Sequence, residues 1–381
     1  MRNDKLTQIL SHTVVALLSI TLTVAIMMGV FLLTQQNNSK LDTLEKLILT
    51  YFVGEVDQTA IEDAAANAMV NALGDRWSYY IPADQYAAYV QQMENAYVGI
   101  GITIKALEDG YIEVTEVAAG GPSEEAGIQV GDVIVAVAGQ SILGMDATES
   151  KKLIQGEENT KVQLTIRRGE EELTKEVTRR KIRTPVAHAQ MLTENVGMIT
   201  IYNFNTNCAT EVIAAIESLQ EQGADKLIFD VRNNPGGYAT EMVKILDYLL
   251  PEGKLFTSVD YSGKEHTDMS DAKCLDIPMA VLVNGSSYSA AEFFAAAMAE
   301  YDAAVVVGEQ TCGKGYFQNV FQLPDGSAVG LSIGKYYTPN GKNLADVGIT
   351  PDIVVEPAQS QTQINPMEDP QVLAAIEALQ G

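Results

Sequence analysis

The sequence predicts a mixed α/β protein with four parts: an apolar N-terminal helix, a short helical region, a small β-rich module and a larger core of alternating strands and helices. Three observations carry this. Val14–Leu33 is an uncharged, mostly apolar run of 20 positions. Around Val98 the apolar period changes from helical to two, with Val98, Ile100 and Ile102 alternating with Gly99, Gly101 and Thr103. After Thr184-Pro185, apolar strands alternate with helix patterns, as parallel sheets require. The expected divisions are 1–40, 41–95, 96–182, 183–358 and 359–381.

The first part concerns the membrane. Twenty residues at ~1.5 Å each make a helix about 30 Å long, enough to span a bilayer. The run is longer than the apolar part of a signal peptide and offers no small-residue cleavage site around Met27–Leu33, so an uncleaved single-pass anchor is expected. Arg2 and Lys5 put its N-terminal side in the cytoplasm and everything beyond Lys40 outside it.

Next come two or three helices. Leu44, Leu47, Ile48 and Tyr51, then Ile61, Ala65, Met69 and Leu73, fall at helical spacing and suggest a stalk. In the β-rich module, Tyr111–Val114 and Val130–Val137 are expected strands, and Ser123 is expected to cap a short helix that Gly127 stops. A helix over Asp146–Ile154 and a strand over Val162–Ile166 close the module. In the core the expected strands are Val196–Ile201, Lys226–Val231, Pro278–Val283 and Ala303–Val307. The helices are Ala209–Gln222, Tyr238–Leu250 and Ser289–Glu300.

Composition removes several function classes. Among 381 residues, 25 Lys and Arg face 50 Asp and Glu, a net charge of −25 that repels nucleic acid. Three His, three Cys and no His-x-x-x-His or Cys-x-x-Cys pair make neither a metal nor any other cofactor expected, and Cys208, Cys274 and Cys312 suggest no disulfide framework.

The module resembles a PDZ domain from Tyr97 to Ile182. Tyr97-Val98-Gly99-Ile100-Gly101-Ile102 matches its peptide-binding loop and strand, and Gly121–Ile134 its small helix and following strand. A Gly-rich loop before an exposed strand leaves N–H groups free for a terminal carboxylate, and the strand edge pairs with an extended peptide. Val98, Gly99, Ile100, Gly101 and Ile102 are therefore the expected peptide contacts.

Chemistry is expected where strands of the core end in polar loops that open helices. Asn284–Glu292 is a Ser-rich turn of this kind, and Gly308–Gly315 is a Gly-flanked loop with one Lys. A serine alone is more often a helix cap, and a loop lysine is usually solvated. Burial lowers a lysine's pKa and lets it act as a base towards serine.

Five ordered motifs resemble the carboxyl-terminal processing proteases, a membrane-anchored serine peptidase family with a PDZ domain before a Ser-Lys core. They are Asp75–Tyr80, Asp230–Gly237, Ser287–Glu292, Gly308–Gly315 and Tyr336–Gly341. The resemblance implies a crotonase-like α/β spiral, Ser289 as nucleophile, Lys314 as general base 25 residues later, and Gln318 orienting the lysine amine. It implies an oxyanion hole from the N–H of Ala290 and an N–H of the turn bearing Gly236 and Gly237. It further implies protein or peptide substrates with free C-terminal tails, and a homodimer formed through terminal helical parts. Val372, Leu373, Ile376 and Leu379 form an apolar stripe that serves either that dimer or the chain's own core. The chain departs from the family at Tyr288, Ala291 and Cys312, where Ala, Ser and an aromatic residue are usual. Two other readings share these features: an inactive PDZ scaffold, and acyl-thioester chemistry on the same spiral.

Overall fold

The computed structural model describes residues 12, 14, 19–28, 39–358 and 365–380. Nine of the 20 residues of the expected spanning segment Val14–Leu33 lie outside these residues. The described part, 19–28, is helical, and among the described residues no helix is long and apolar enough to cross a membrane. The chain divides into two compact units, 1–65 and 66–381.

In the first unit, helix Lys40–Tyr51 starts at a reciprocal cap, in which Ser39 Oγ accepts from Asp42 N–H and the Asp42 side chain accepts from Ser39 N–H. Its apolar residues Leu41, Leu44, Leu47 and Leu49 stay exposed. The second helix, Gln58–Asn71, begins in this unit and runs across the division. The rest of the expected stalk is not purely helical. Tyr79–Ile81 is a strand that pairs with Ala328–Tyr337, so the segment after the second helix is built into the larger unit's second sheet.

The part after Thr184 contains a six-stranded sheet whose spatial order follows the chain: Ala187–Met191, Val196–Ile201, Lys226–Asp230, Met279–Val283, Ala304–Gly308 and Ile353–Val354. All neighbours after the first pair are parallel. The central strands are apolar throughout because both faces are covered. Helices Cys208–Glu221, Ala239–Leu249 and Ala290–Glu300 cover one face. Helix Pro370–Gln380 covers the other, burying Val372, Ile376 and Leu379 against Met198, Ile228 and Leu282. Three of the four residues of the stripe are thus spent on the chain's own sheet, the second of its two expected uses, while Leu373 stays exposed. Arg232 secures its start, donating to Asp369 (2.7 Å) and Gln371 (2.8 Å) while pairing with Asp230.

The β-rich module is a six-stranded antiparallel sheet with Ile102–Ala106 at one edge. Three details differ from the sequence reading. The alternating run from Val98 is broken at Gly101, whose φ of +74° turns the chain, so Ala96–Gly99 pairs with Arg180–Arg183 while Ile102–Ala106 joins the module's sheet. The strand expected from Val130 starts at Val133, because Gly131 sits at φ +89° and the Asp132 side chain closes a turn by accepting from Gln129 N–H. Ser123 lies inside helix Pro122–Glu125 rather than capping it, and Gly121 takes the cap position.

Candidate active site

Three neighbouring parallel strands, Lys226–Asp230, Met279–Val283 and Ala304–Gly308, end at the same edge of the sheet and deliver three loops there. Side chains stitch the first two. Asn284 accepts from Asn233 N–H (2.9 Å) and donates to Asn233 Oδ1 (3.0 Å), and Ser287 Oγ donates to the Val231 carbonyl (2.7 Å). Tyr288 N–H donates to the Asn234 carbonyl, and Cys312 N–H of the third loop to that of Ser287.

Ser289 stands at the end of the second loop with φ 58° and ψ −126°, a region that side-chain-bearing residues rarely adopt. A sharp strand-to-helix turn of this kind pushes a hydroxyl to the mouth of a sheet. The strain is held by Glu292, whose carboxylate is fully buried and accepts four hydrogen bonds. Its Oε2 takes the N–H of Ser289 (3.0 Å) and the N–H of Lys314 (2.8 Å); its Oε1 takes Thr311 Oγ1 (2.6 Å) and the N–H of Gly313 (2.7 Å). One carboxylate thus sets the serine turn against the lysine loop. The spacing Ser-x-x-Glu is the sequence signal of a capping box; its contacts with the third loop leave no local trace.

Ser289, Lys314, Gln318, Gly236 and Gly237 line one cavity of about 610 Å³ together with aromatic side chains, among them Tyr86, Tyr89, Tyr238 and Phe317. Burial pushes the Lys314 amine down to about 8, against the opposing pull of Asp75, Cys312 and Glu292. Its Nζ lies 5.0 Å from the centre of the Trp77 ring and 5.8 Å from that of Tyr288. The expected apolar surroundings therefore come from two aromatic rings, one of them on the segment between the helical region and strand Tyr79–Ile81. The sequence motifs give neither ring a place beside the lysine.

Gln318 is in the same cavity, but its amide nitrogen donates to Ser332 Oγ (3.0 Å) and the Tyr316 carbonyl (3.4 Å). At Gly236 an added Cβ would lie 2.8 Å from Ser289 Cβ and 2.9 Å from Ala290 N, so only glycine permits this approach, and its φ is +89°. The Gly236 N–H is already given to Asn234 Oδ1 (2.8 Å). Among the described residues no hydrogen bond takes the N–H of Gly237 or Ala290, and these two are the donors left for a developing oxyanion. Such a set can deprotonate a hydroxyl, attack a carbonyl and hold the resulting anion.

The expected PDZ contacts also converge. Val98, Gly99, Ile100, Gly101 and Ile102 line a groove of about 550 Å³ with Ala147, Thr148, Lys151, Ile154 and Gln155 of the helix opposite. The groove runs along the edge strand Ile102–Ala106. Among the described residues, no group of three or more His, Cys, Asp or Glu is arranged to hold a metal ion.

Residues 195–355 match peptidase family S41, and residues 113–168 match the PDZ domain. The carboxy-terminal processing protease CtpA of Bacillus subtilis is 32% identical over 84% of this chain and 70% of its own length. This chain belongs to the S41 peptidases. A probable CtpA-like serine protease of Staphylococcus aureus is 33% identical over 86% of this chain, and the chain spans 66% of that relative's length. The putative S41 protease of Bacteroides fragilis shares the fold, with a TM-score of 0.53 at 17% identity, covering 89% of this chain and 97% of that one.

Proposed function

We propose that this S41 member is a serine endopeptidase that cleaves extracytoplasmic proteins at or near their C-termini. The observation that carries the reading is Glu292, which fastens Ser289 and Lys314 to one buried carboxylate inside one cavity. The names of the Bacillus and Staphylococcus relatives support it. In the first step Lys314 Nζ takes the proton of Ser289 Oγ, which attacks the substrate carbonyl carbon; the oxyanion rests on the N–H groups of Gly237 and Ala290. Collapse breaks the peptide bond, and the Lys314 ammonium returns the proton to the leaving amine. Water, deprotonated by the same amine, then attacks the acyl carbonyl, and the Lys314 ammonium returns that proton to Ser289 Oγ as the ester bond breaks. Gln318 orients Lys314 once substrate fills the cavity, and the spiral arrangement of the crotonase fold supplies the frame.

The groove beside Ile102–Ala106 accepts the free, apolar tail of a protein substrate and gates the cleft. Val14–Leu33 anchors the protein in the cell membrane as a single pass with the catalytic part outside, and the exposed leucines of Lys40–Tyr51 pair two copies as a homodimer. Light scattering of the soluble part gives the mass that decides the dimer. The central test is cleavage of casein and of a short amidated peptide. Ser289→Ala and Lys314→Ala are each expected to lower turnover by about 10³-fold or more, since the pair acts as a unit. Near-normal turnover in either would sink the assignment. Because the working base is neutral, activity rises with pH through about 8 and falls roughly tenfold per unit below it. An inactive scaffold would bind tails and leave casein intact.

A further inference from the structure

The segment Asp75–Ser78 supplies no reacting atom to the chemistry just described, yet it is fixed in detail. The Asp75 carboxylate accepts from Ser78 Oγ (2.6 Å) and Trp77 N–H (3.1 Å), closing a tight turn, and Ser78 Oγ accepts from Ser332 N–H (3.1 Å). Arg76 stacks over the indole of Trp77 at 4.4 Å and donates to the Cys312 carbonyl (3.3 Å), which ties this turn to the lysine loop. The Trp77 and Tyr288 rings stand 5.9 Å apart, and Lys314 Nζ lies near both.

Two cavities with no lining residue in common draw residues from this contact. Lys314 lines the inner one with Ser289, and Trp77 does not line it. Trp77 lines a second cavity of about 680 Å³ with Arg76, Tyr261, Tyr316 and Asp346, and Lys314 does not line that one. The amine thus lines one cavity, and the ring 5.0 Å from it lines the other. We infer that Trp77 is a positioning residue for Lys314, sealing its amine from the outer cavity so that it stays a neutral base. This deepens the Ser-Lys reading and rests on it.

The ring acts on the amine in two opposed ways. A cation over an indole is favoured, which supports the ammonium. Exclusion of water disfavours the ammonium, by up to several pH units for a buried lysine. The other groups facing the amine pull towards the ammonium: Asp75 from the turn, Cys312 from the lysine's own loop and Glu292 from the helix. The Tyr288 phenol, itself raised by burial, adds no charge near neutral pH, and the Arg76 guanidinium over the indole adds a repelling one. Exclusion of water is the largest force that keeps the amine neutral, with the Arg76 charge acting the same way, and the indole supplies that exclusion.

The test compares the full chain with Trp77→Phe, Trp77→Ala and Asp75→Asn. Two readouts are taken: the pH profile of kcat/KM on a short amidated peptide, and the pH dependence of Lys314 acylation by acetic anhydride, followed by peptide mass spectrometry. Trp77→Ala is expected to move both midpoints up by about one unit or more, with activity about tenfold lower at pH 7.5 and recovering near pH 10. Asp75→Asn is expected to move both down, and Trp77→Phe to hold them within a few tenths. Midpoints that stay put in Trp77→Ala, or that move the same way in Trp77→Ala and Asp75→Asn, would overturn the inference, the latter as simple loosening of the turn. If Trp77→Ala does not fold, the phenylalanine and asparagine variants still decide, because a Trp77→Phe midpoint shifted as far as one unit overturns it too. Failure of the wild type to cut peptide defeats the Ser-Lys reading alone, since acylation midpoints do not need turnover.

Discussion

The peptide groove and the cleft around Ser289 are made in different ways. The groove is a feature of backbone: an edge strand, glycines that turn the chain and one facing helix, all within residues 97–155. The cleft is a feature of long-range side-chain contacts, with loops after residues 230, 283 and 308 fastened to each other and to a turn at residue 75. A surface that only pairs with an extended chain can be built locally. A base and a nucleophile that must meet require parts from distant places, and their junctions carry the buried polar groups.

Glu292→Ala would strain this comparison most. It leaves four buried donors without a partner, each costing about 1–3 kcal/mol, and the expected result is a loss of cleavage of about 10²-fold or more together with a clear fall in thermal midpoint. Tail-peptide affinity, measured by fluorescence anisotropy, is expected to hold while the chain stays folded. If binding fell in step with cleavage, the two regions would not be separable. The converse change is smaller. Ile102→Asp puts a charge on the apolar edge of the groove and is expected to weaken binding of peptides with a free apolar C-terminus by about tenfold, with cleavage of a short amidated peptide unchanged. Equal losses on both peptides would mean that the groove does not read the terminus. The smallest change in stability is expected at Ser289→Gly, which removes the nucleophile, and cleavage with it, but relieves a backbone conformation at φ 58°. Calorimetry should find this variant more stable by about 1 kcal/mol.

The same difference explains what could be read from the sequence. The order of strands and helices in the core followed from apolar periodicity, and the sheet keeps chain order, so Ser289, Lys314 and Gly237 could be assigned to loops at one edge. One wall of the groove, Val98–Ile102, was legible because its glycines and apolar positions are adjacent in the chain, whereas the facing residues Ala147 to Gln155 were not named and Gly101 breaks the expected alternation. Glu292 was visible only as the fourth letter of a motif; its bonds to Thr311 and Gly313 cross 19 and 21 residues. Trp77 lies still farther from the lysine in sequence, and no local pattern marks a ring that will stand beside an amine. The expected strand at Val130 failed for a local reason, a left-handed glycine that ends one turn before the next strand starts. The expected role of the helix Pro370–Gln380 was open because an amphipathic stripe does not say which sheet it covers.

The turn at Ser289 has a bearing on how such a chain would change over generations. Its conformation opposes stability, and any descendant released from cutting peptides would gain by losing the serine, with glycine a small change away. Nothing comparable burdens the groove, whose buried residues Ile100 and Ile154 belong to the module's own core. Mutation under relaxed selection would therefore erase the hydroxyl before the edge strand of the groove, and on the proposed function such a chain would decay first from a cutter of peptides into a binder of them.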